Sequence, residues 1–327
     1  MSSARDPMGE SLAGRPNLGQ QRSSLFIVGA PRTGTTSLSK ALAAHPQVCF
    51  AKPKETHFFL RENVGMSDAQ IRRRFEEAYF RTLQPQHRVL AEGSVSYLYD
   101  PRAIVRILRF DPQAQFVVGV RSPLELLPSY HARLLYTMDE DLTDFALAWA
   151  LQERRAQGEA LPPRCRDPRL LRYGEVGRLG KHYRRLLEVA GRDRCFPILF
   201  DDLRVDPMRV YRSLLSFAGL ADDGRTELPR KNEARTYRRQ WLQPLVMNPP
   251  APIARLAGLF ADGGHTRLRA LVRPLRRRLK KANTRVAERP ALSPELRREL
   301  SDYFREDVAE LGRLLHRDLS GWLEPRA

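Results

Sequence analysis

Four short apolar runs punctuate the first two-thirds of the chain: SLFIVG at 24–29, RVLAE at 88–92, QFVVGV at 115–120 and CFPILF at 195–200. Each is too short for a buried helix and lacks the polar/apolar alternation of a half-exposed strand. Each therefore predicts a strand covered on both faces. Between them the apolar positions take on a helical period. PRAIVRILRF (101–110) and DFALAWALQERR (144–155) show it. So do Val176, Leu179, Tyr183, Leu186, Leu187 and Ala190, one face of a helix leading into the strand at 195. Near the end, Ser293 stands as N-cap with Pro294 at the first helical position, ahead of Leu296, Leu300, Phe304, Val308, Leu311 and Leu315. That pattern predicts a long amphipathic helix over 293–316. Strands alternating with helices predict an α/β fold whose parallel central sheet is flanked by helices.

The polar, Pro- and Gly-containing residues 1–23 predict a disordered leader, and 24–327 is expected to form one domain. From about 241 to 290 the pattern breaks into an Arg- and Pro-rich insertion holding MNPPAP and RLRALVRPLRRRLKK (267–281). A solvated basic face fits this composition, and so does a lid or a patch against an anionic membrane surface. No run approaches the roughly 18 apolar residues of a membrane span, and the N-terminus has no secretory apolar core. Three cysteines (Cys49, Cys165, Cys195) without metal-ligand spacing fit a reducing cytosol. A cytoplasmic protein is expected, with peripheral membrane contact as the variant the basic segment allows. The net charge is +18, with seven lysines against 49 arginines spread along the chain. That imbalance fits the codon bias of a GC-rich genome better than a nucleic-acid surface, so no specific nucleic-acid partner is expected. The positive field still favours anionic substrates.

The chemistry concentrates at FIVGAPRTGTTSLSKAL, 26–42. A strand, a Gly-containing turn and a helix in succession leave backbone N–H groups at the positive end of a helix dipole, an anion site by construction. Gly34 admits close backbone approach, Thr33, Thr35, Thr36 and Ser37 add hydroxyls, and Arg32 adds a forked cation. The stretch nearly spells a P-loop, and so places the fold among P-loop-like three-layer architectures. However, Thr35 stands where the P-loop lysine belongs, and the QFVVGV strand ends in Arg121 rather than in a metal-binding aspartate. Asp201 and Asp202 follow another strand and keep a Mg-dependent kinase as the minority alternative. A non-catalytic nucleotide- or polyanion-binding protein is the other.

Several stretches together resemble sulfotransferases that use 3′-phosphoadenosine-5′-phosphosulfate (PAPS), in the group of bacterial and heparan-type carbohydrate enzymes. PRTGTTSL (31–38) is similar to that family's 5′-phosphosulfate loop, and VGVRSPLELLPSYHARL (118–134) to its 3′-phosphate motif. PKETHFF (53–59) and AEGSVSYL (91–98) resemble its acceptor-side segments. RYGEVGRLGKHYRRLLEVAGRDRCFPILFDDLRVDP (172–207) resembles its helix–strand block, and NEARTYRR (232–239) falls where the family closes over the adenosine.

The resemblance implies a PAPS-dependent transferase acting on a hydroxyl, less readily an amine, of a carbohydrate, glycolipid or small natural product. It implies no metal. Arg32, Thr33, Gly34, Thr35, Thr36 and Ser37 would bind the 5′ end of the donor, Arg121 and Ser129 the 3′-phosphate, and Arg235 the closing loop. Glu55 would be the catalytic base, with His57 as a second candidate or an orienting group and Arg32 stabilising the leaving phosphate. Glu55 and His57 are expected to face the same way in an extended segment. The chain departs from the heparan-type pattern at Gly93, where a Lys usually follows Glu92. Pro128, directly before Ser129, is expected to kink its helix.

Overall fold

The computed structural model describes residues 22–61, 65–229, 235–237, 282, 284–286 and 291–324. Five strands form one all-parallel sheet: β1 (Ser23–Gly29), β2 (Val48–Phe50), β3 (Val89–Glu92), β4 (Gln115–Val120) and β5 (Cys195–Leu199), in the order β2-β3-β1-β4-β5. The apolar runs are continuous because both faces are covered. Leu25 and Ile27 of β1 pack with α1 (Thr35–Ala43) and with residues of β5 and of the helices after it. Phe26 and Val28 point to the opposite core. That second core is closed by α2 (Asp68–Tyr79), α3 (Pro101–Phe110), α4 (Pro123–Thr137) and later helices, giving three layers.

The chain leaves β1 toward β2 and leaves β4 toward β5, on opposite sides of the sheet. The carboxyl ends of β1 and β4 therefore border the crevice where parallel α/β sheets bind ligands. Ala30 N–H donates to the Gly119 carbonyl at 2.8 Å and joins the two ends.

Most expected elements appear with small shifts. The strand expected at 24–29 begins at Ser23, inside the expected leader. The helix expected over 144–155 is two short ones, α5 (Phe145–Ala150) and α6 (Gln152–Ala156). The joint falls at Leu151, and Gln152 turns its side-chain carbonyl to the Gly174 N–H at 2.8 Å. The helix around 176–190 divides into α7 (Tyr173–Gly177) and α8 (Leu179–Ala190). Beyond β5 come α9 (Phe200–Val205) and α10 (Pro207–Phe217). A separate antiparallel pair, β6 (Arg235–Tyr237) and β7 (Thr284–Val286), precedes α11 (Pro294–Leu315), which starts at the Ser293 cap as expected. The basic stretch 267–281 lies outside the described residues, as do residues 1–21 of the leader.

Two long-range ties fix the helical layer. Asp307 of α11 accepts from the Gly180 and Lys181 N–H groups, both at 2.9 Å, and so caps α8 from a distant part of the chain. Glu140, just past α4, accepts from Arg155 Nη1 at 2.6 Å and Nη2 at 2.9 Å, and from the Tyr173 hydroxyl at 2.8 Å. Arg155 and Glu140 are each 2% exposed. A buried fork of this kind holds the end of α4, the helix that carries Ser129.

Removing one partner of a buried pair strands the other charge. Arg155→Ala should lower the unfolding free energy by about 3–5 kcal/mol, read by urea denaturation. A loss below about 1 kcal/mol, the scale of a surface pair, would contradict the assigned role.

Candidate active site

The turn after β1 is shaped by three backbone requirements. Gly34 caps α1 at φ 84°, a left-handed conformation that favours glycine. A Cβ there would also collide with Leu203 of α9. Gly119 of β4 leaves the space that Thr33 fills, and Thr33 Oγ1 donates back to the Ala30 carbonyl at 2.7 Å. Arg32 is itself left-handed, at φ 65°. The first turn of α1 contains no acidic residue, and its N-cap makes no side-chain hydrogen bond. The helix thus presents its N-terminal dipole end as an anion cradle. Thr33, Thr35 and Ser37 are buried around it, and Thr36 is half-buried.

Arg32, Arg121 and Ser129 come together from three elements. Arg32 Nε donates to Ser129 Oγ at 2.9 Å, and Arg121 Nη1 donates to the Arg32 carbonyl at 3.1 Å. Pro128 does not end α4, which runs unbroken to Thr137, and Ser129 is buried on its inner face. Arg121 also uses Nε and Nη2 on Glu125 Oε2, at 3.0 and 2.8 Å, and its guanidinium lies 4.1 Å over the Phe200 ring. The stacking and the fork fix its plane.

Beside this cluster opens a cavity of about 440 Å³. Arg121, Arg204 of α9 and Arg297 of α11 line it with apolar Leu124, Pro128 and Phe200. Three guanidiniums over an apolar floor suit an anion joined to a flat ring. Sequence reasoning passed over Glu125, Arg204 and Arg297. Only Glu125 carried a local signal, the i,i+4 spacing from Arg121. Arg235 belongs to β6, whose backbone runs alongside α4.

The residues expected on the acceptor side gather at the ends of β1 and β3. Gly29, where β1 ends, packs against Leu98 of the turn after β3, leaving no room for a Cβ. The 53–59 segment is irregular rather than extended. His57 sits at φ 53° and opens a 3₁₀ turn whose Phe59 is anchored among Phe26, Phe75 and Phe110. Glu55 and His57 nevertheless lie side by side, with Nε2 3.9 Å from Oε2. Lys54 Nζ reaches Glu55 at 3.2 Å and the Gly93 carbonyl at 2.9 Å. A Cβ at Gly93 would stand 3.0 Å from Lys54 Cε. Lys54 therefore covers the position where heparan-type chains carry their extra lysine. His57 Nδ1 is 2.9 Å from Ser96 Oγ. Burial, partly offset by Glu55 and reinforced by Arg166, Lys54 and Arg61, lowers the imidazole pKa and favours the neutral ring.

Glu92 turns inward and is 1% exposed. Its carboxylate accepts from the Thr56 N–H at 2.9 Å, from the Ser94 N–H at 3.1 Å and from the Ser94 hydroxyl. Ser94 Oγ in turn accepts from the His57 N–H at 2.9 Å. One buried carboxylate thus holds both peptide groups between Glu55 and His57. Asp201 and Asp202 serve the C-terminus: Asp201 accepts from Trp322 Nε1 at 2.7 Å, and Asp202 from Arg317 through two contacts of 3.1 Å.

Burial pushes the Glu92 pKa up from 4.5 to about 7 against the pull of its donors. A folded-state value above the unfolded one means stability that is full at low pH and lost as pH rises through the folded value. Between about pH 6 and pH 8 this group should cost the folded state on the order of 1 kcal/mol. The stability difference between wild type and Glu92→Gln should shift by that amount in denaturant titrations across the window. A difference that stays constant with pH would contradict it.

A model of the Sulfotransferase family matches residues 24–99, which hold the β1 loop, Glu55, His57 and Glu92. The chain is similar to the bifunctional heparan sulfate N-deacetylase/N-sulfotransferase 1 of Caenorhabditis elegans, 24% identical over 199 residues. That alignment covers 61% of this chain but spans only 22% of the worm protein. Among solved structures, a sulfotransferase from Alicyclobacillus acidocaldarius superposes with a TM-score of 0.62 at 25% identity, covering 93% of this chain and 100% of that one. With the loop and the parallel sheet in agreement with these relatives, the chain is similar to sulfotransferases in sequence over residues 24–99 and in fold along 93% of its length.

Proposed function

We propose that the protein moves the sulfuryl group of PAPS to a hydroxyl of a carbohydrate, glycolipid or small natural product. The observation that carries this reading is the junction of Arg32, Arg121 and Ser129 beside the open N-terminus of α1. PAPS carries anions on the 3′ and 5′ positions of one ribose, and two cationic regions of this site would match them. The α1 cradle with Arg32 would hold the 5′-phosphosulfate. Arg121 and Ser129 would hold the 3′-phosphate, with Arg204 and Arg297 facing the same cavity. At about 440 Å³ that cavity falls in the range of small-molecule sites.

PAPS supplies an activated sulfur whose bond to the bridging phosphate oxygen breaks as the acceptor oxygen bonds to it. The protein must align acceptor and donor, accept the hydroxyl proton and stabilise charge on the departing phosphate. Arg32 and the α1 N–H groups suit the last task. Glu55 suits the proton: it is half-exposed and beside His57, where an acceptor can reach it. Neutral His57 is the competing base. Glu92 and Ser94 hold the peptide between the two, so the pair keeps its spacing without help from the acceptor.

Arg121→Ala should weaken adenosine 3′,5′-bisphosphate by about 1.5–3 kcal/mol more than adenosine 5′-phosphosulfate in calorimetry, since the second ligand loses only the brace on the Arg32 carbonyl. Equal losses for both ligands would remove the 3′-phosphate assignment. Glu55→Gln should lower kcat on the order of 10²–10⁴-fold with donor affinity unchanged. Single-turnover rates near wild type in Glu55→Gln but not in His57→Ala would transfer the role to the imidazole.

A further inference from the structure

Three consecutive arginines on α2 meet different fates. Arg72 pairs with Glu76 at 3.5 Å and Arg73 with Glu77 at 2.9 Å, both one helical turn on. The residue four beyond Arg74 is Ala78, which brings no charge and little bulk. Among the described residues Arg74 reaches the thioether of Met66, at 3.4 Å, a weak acceptor. The space that Ala78 leaves is a pocket of about 210 Å³ between α2 and the acceptor-side segment. Thr56, His57, Phe58, Arg61 and Tyr79 form its remaining walls. Arg61 has no carboxylate partner among the described residues. From a third element Arg166 adds its charge near His57, held on buried Asp139 by contacts of 2.8 and 2.6 Å. Glu55, beside His57 of this wall, is already contacted by Lys54.

We propose that this pocket binds an anionic group of the acceptor itself, a carboxylate, sulfate ester or phosphate, gripped by Arg61 and Arg74 beside the Glu55–His57 pair. The inference rests on reading that pair as the acceptor side of a sulfotransferase. Two guanidiniums that have no carboxylate partner among the described residues, facing one small pocket, provide forked donors for an anion. Phe58 and Tyr79, edge to face at 6.0 Å, offer apolar ring surface for the body of the molecule. An acceptor gripped by its anion is anchored at one end, so its neighbouring hydroxyl is carried toward Glu55.

The test compares two sugars with the same hydroxyls, methyl β-glucuronide and methyl β-glucoside, together with inorganic sulfate. Each is titrated into the full-length protein while NMR follows the His57 imidazole and the arginine guanidinium signals. The glucuronide should shift His57, Arg61 and Arg74 signals at concentrations where the glucoside does not. In Arg61→Ala/Arg74→Ala its affinity should fall by about tenfold or more, the scale of one charge-assisted hydrogen bond. The remote surface double variant Arg298→Ala/Arg305→Ala should bind it as wild type does. Equal binding of both sugars, no shift from either up to tens of millimolar, or sulfate binding as tightly as the glucuronide would each overturn the proposal. Calorimetry with adenosine 3′,5′-bisphosphate separates the two levels. Unchanged donor binding in the double variant leaves the sulfotransferase reading standing whatever the sugars do.

Discussion

The site depends on where one guanidinium is held. Arg121 ends β4, grips the carbonyl of Arg32 in the turn after β1, forks onto Glu125 of α4 and stacks on Phe200 of α9. It therefore joins four elements at the edge where the sheet's crossovers part. A charge only 4% exposed is tolerable because each nitrogen has an acceptor and the cation has a counter-charge. Glu125 also sets how strongly the cavity attracts anions. It neutralises part of the field at Arg121, while Arg204 and Arg297 face the same space from other helices.

The segment proposed to face the acceptor uses a different device, a buried carboxyl group. Glu92 ends β3 beside β1 and draws the 53–59 segment against the sheet through Thr56 and Ser94. Its burial and its inward donors make it a brace rather than a group for substrate. Glu55 and His57 are left half-exposed on the outer side of the same segment. The catalytic candidates thus sit on an irregular stretch whose rigidity comes from a buried hydrogen-bond network and from Phe58 and Phe59 in the aromatic core.

Local physics explains which parts were legible in the sequence. The strand at 115–120 and the helix at 101–110 match their expected bounds because each is a strongly patterned run between clear stop signals. β2 escaped notice because three residues, Val48–Phe50, are too few to show a period. The loop stood out because strand-end and helix-start chemistry is written within a few residues, while Arg121 and Ser129 stood out through the family resemblance. Glu92 in its bracing role, Arg204 and Arg297 did not, since their partners lie far away in sequence. The pocket at Arg74 was readable only in retrospect, in the alanine that follows two glutamates. Segment 267–281, expected as a solvated basic face with a lid or an anionic-surface patch as the alternative, falls outside the described residues.

The central claim is that one donor spans two anion sites joined by Arg121. A crystal structure with adenosine 3′,5′-bisphosphate bound tests it most directly. The account predicts the 5′-phosphate on the N–H groups of residues 33–36 and the 3′-phosphate within hydrogen-bond reach of Arg121 and Ser129, with the ribose between them. A nucleotide bound with its 3′-phosphate in solvent, or seated away from the α1 N-terminus, would contradict it.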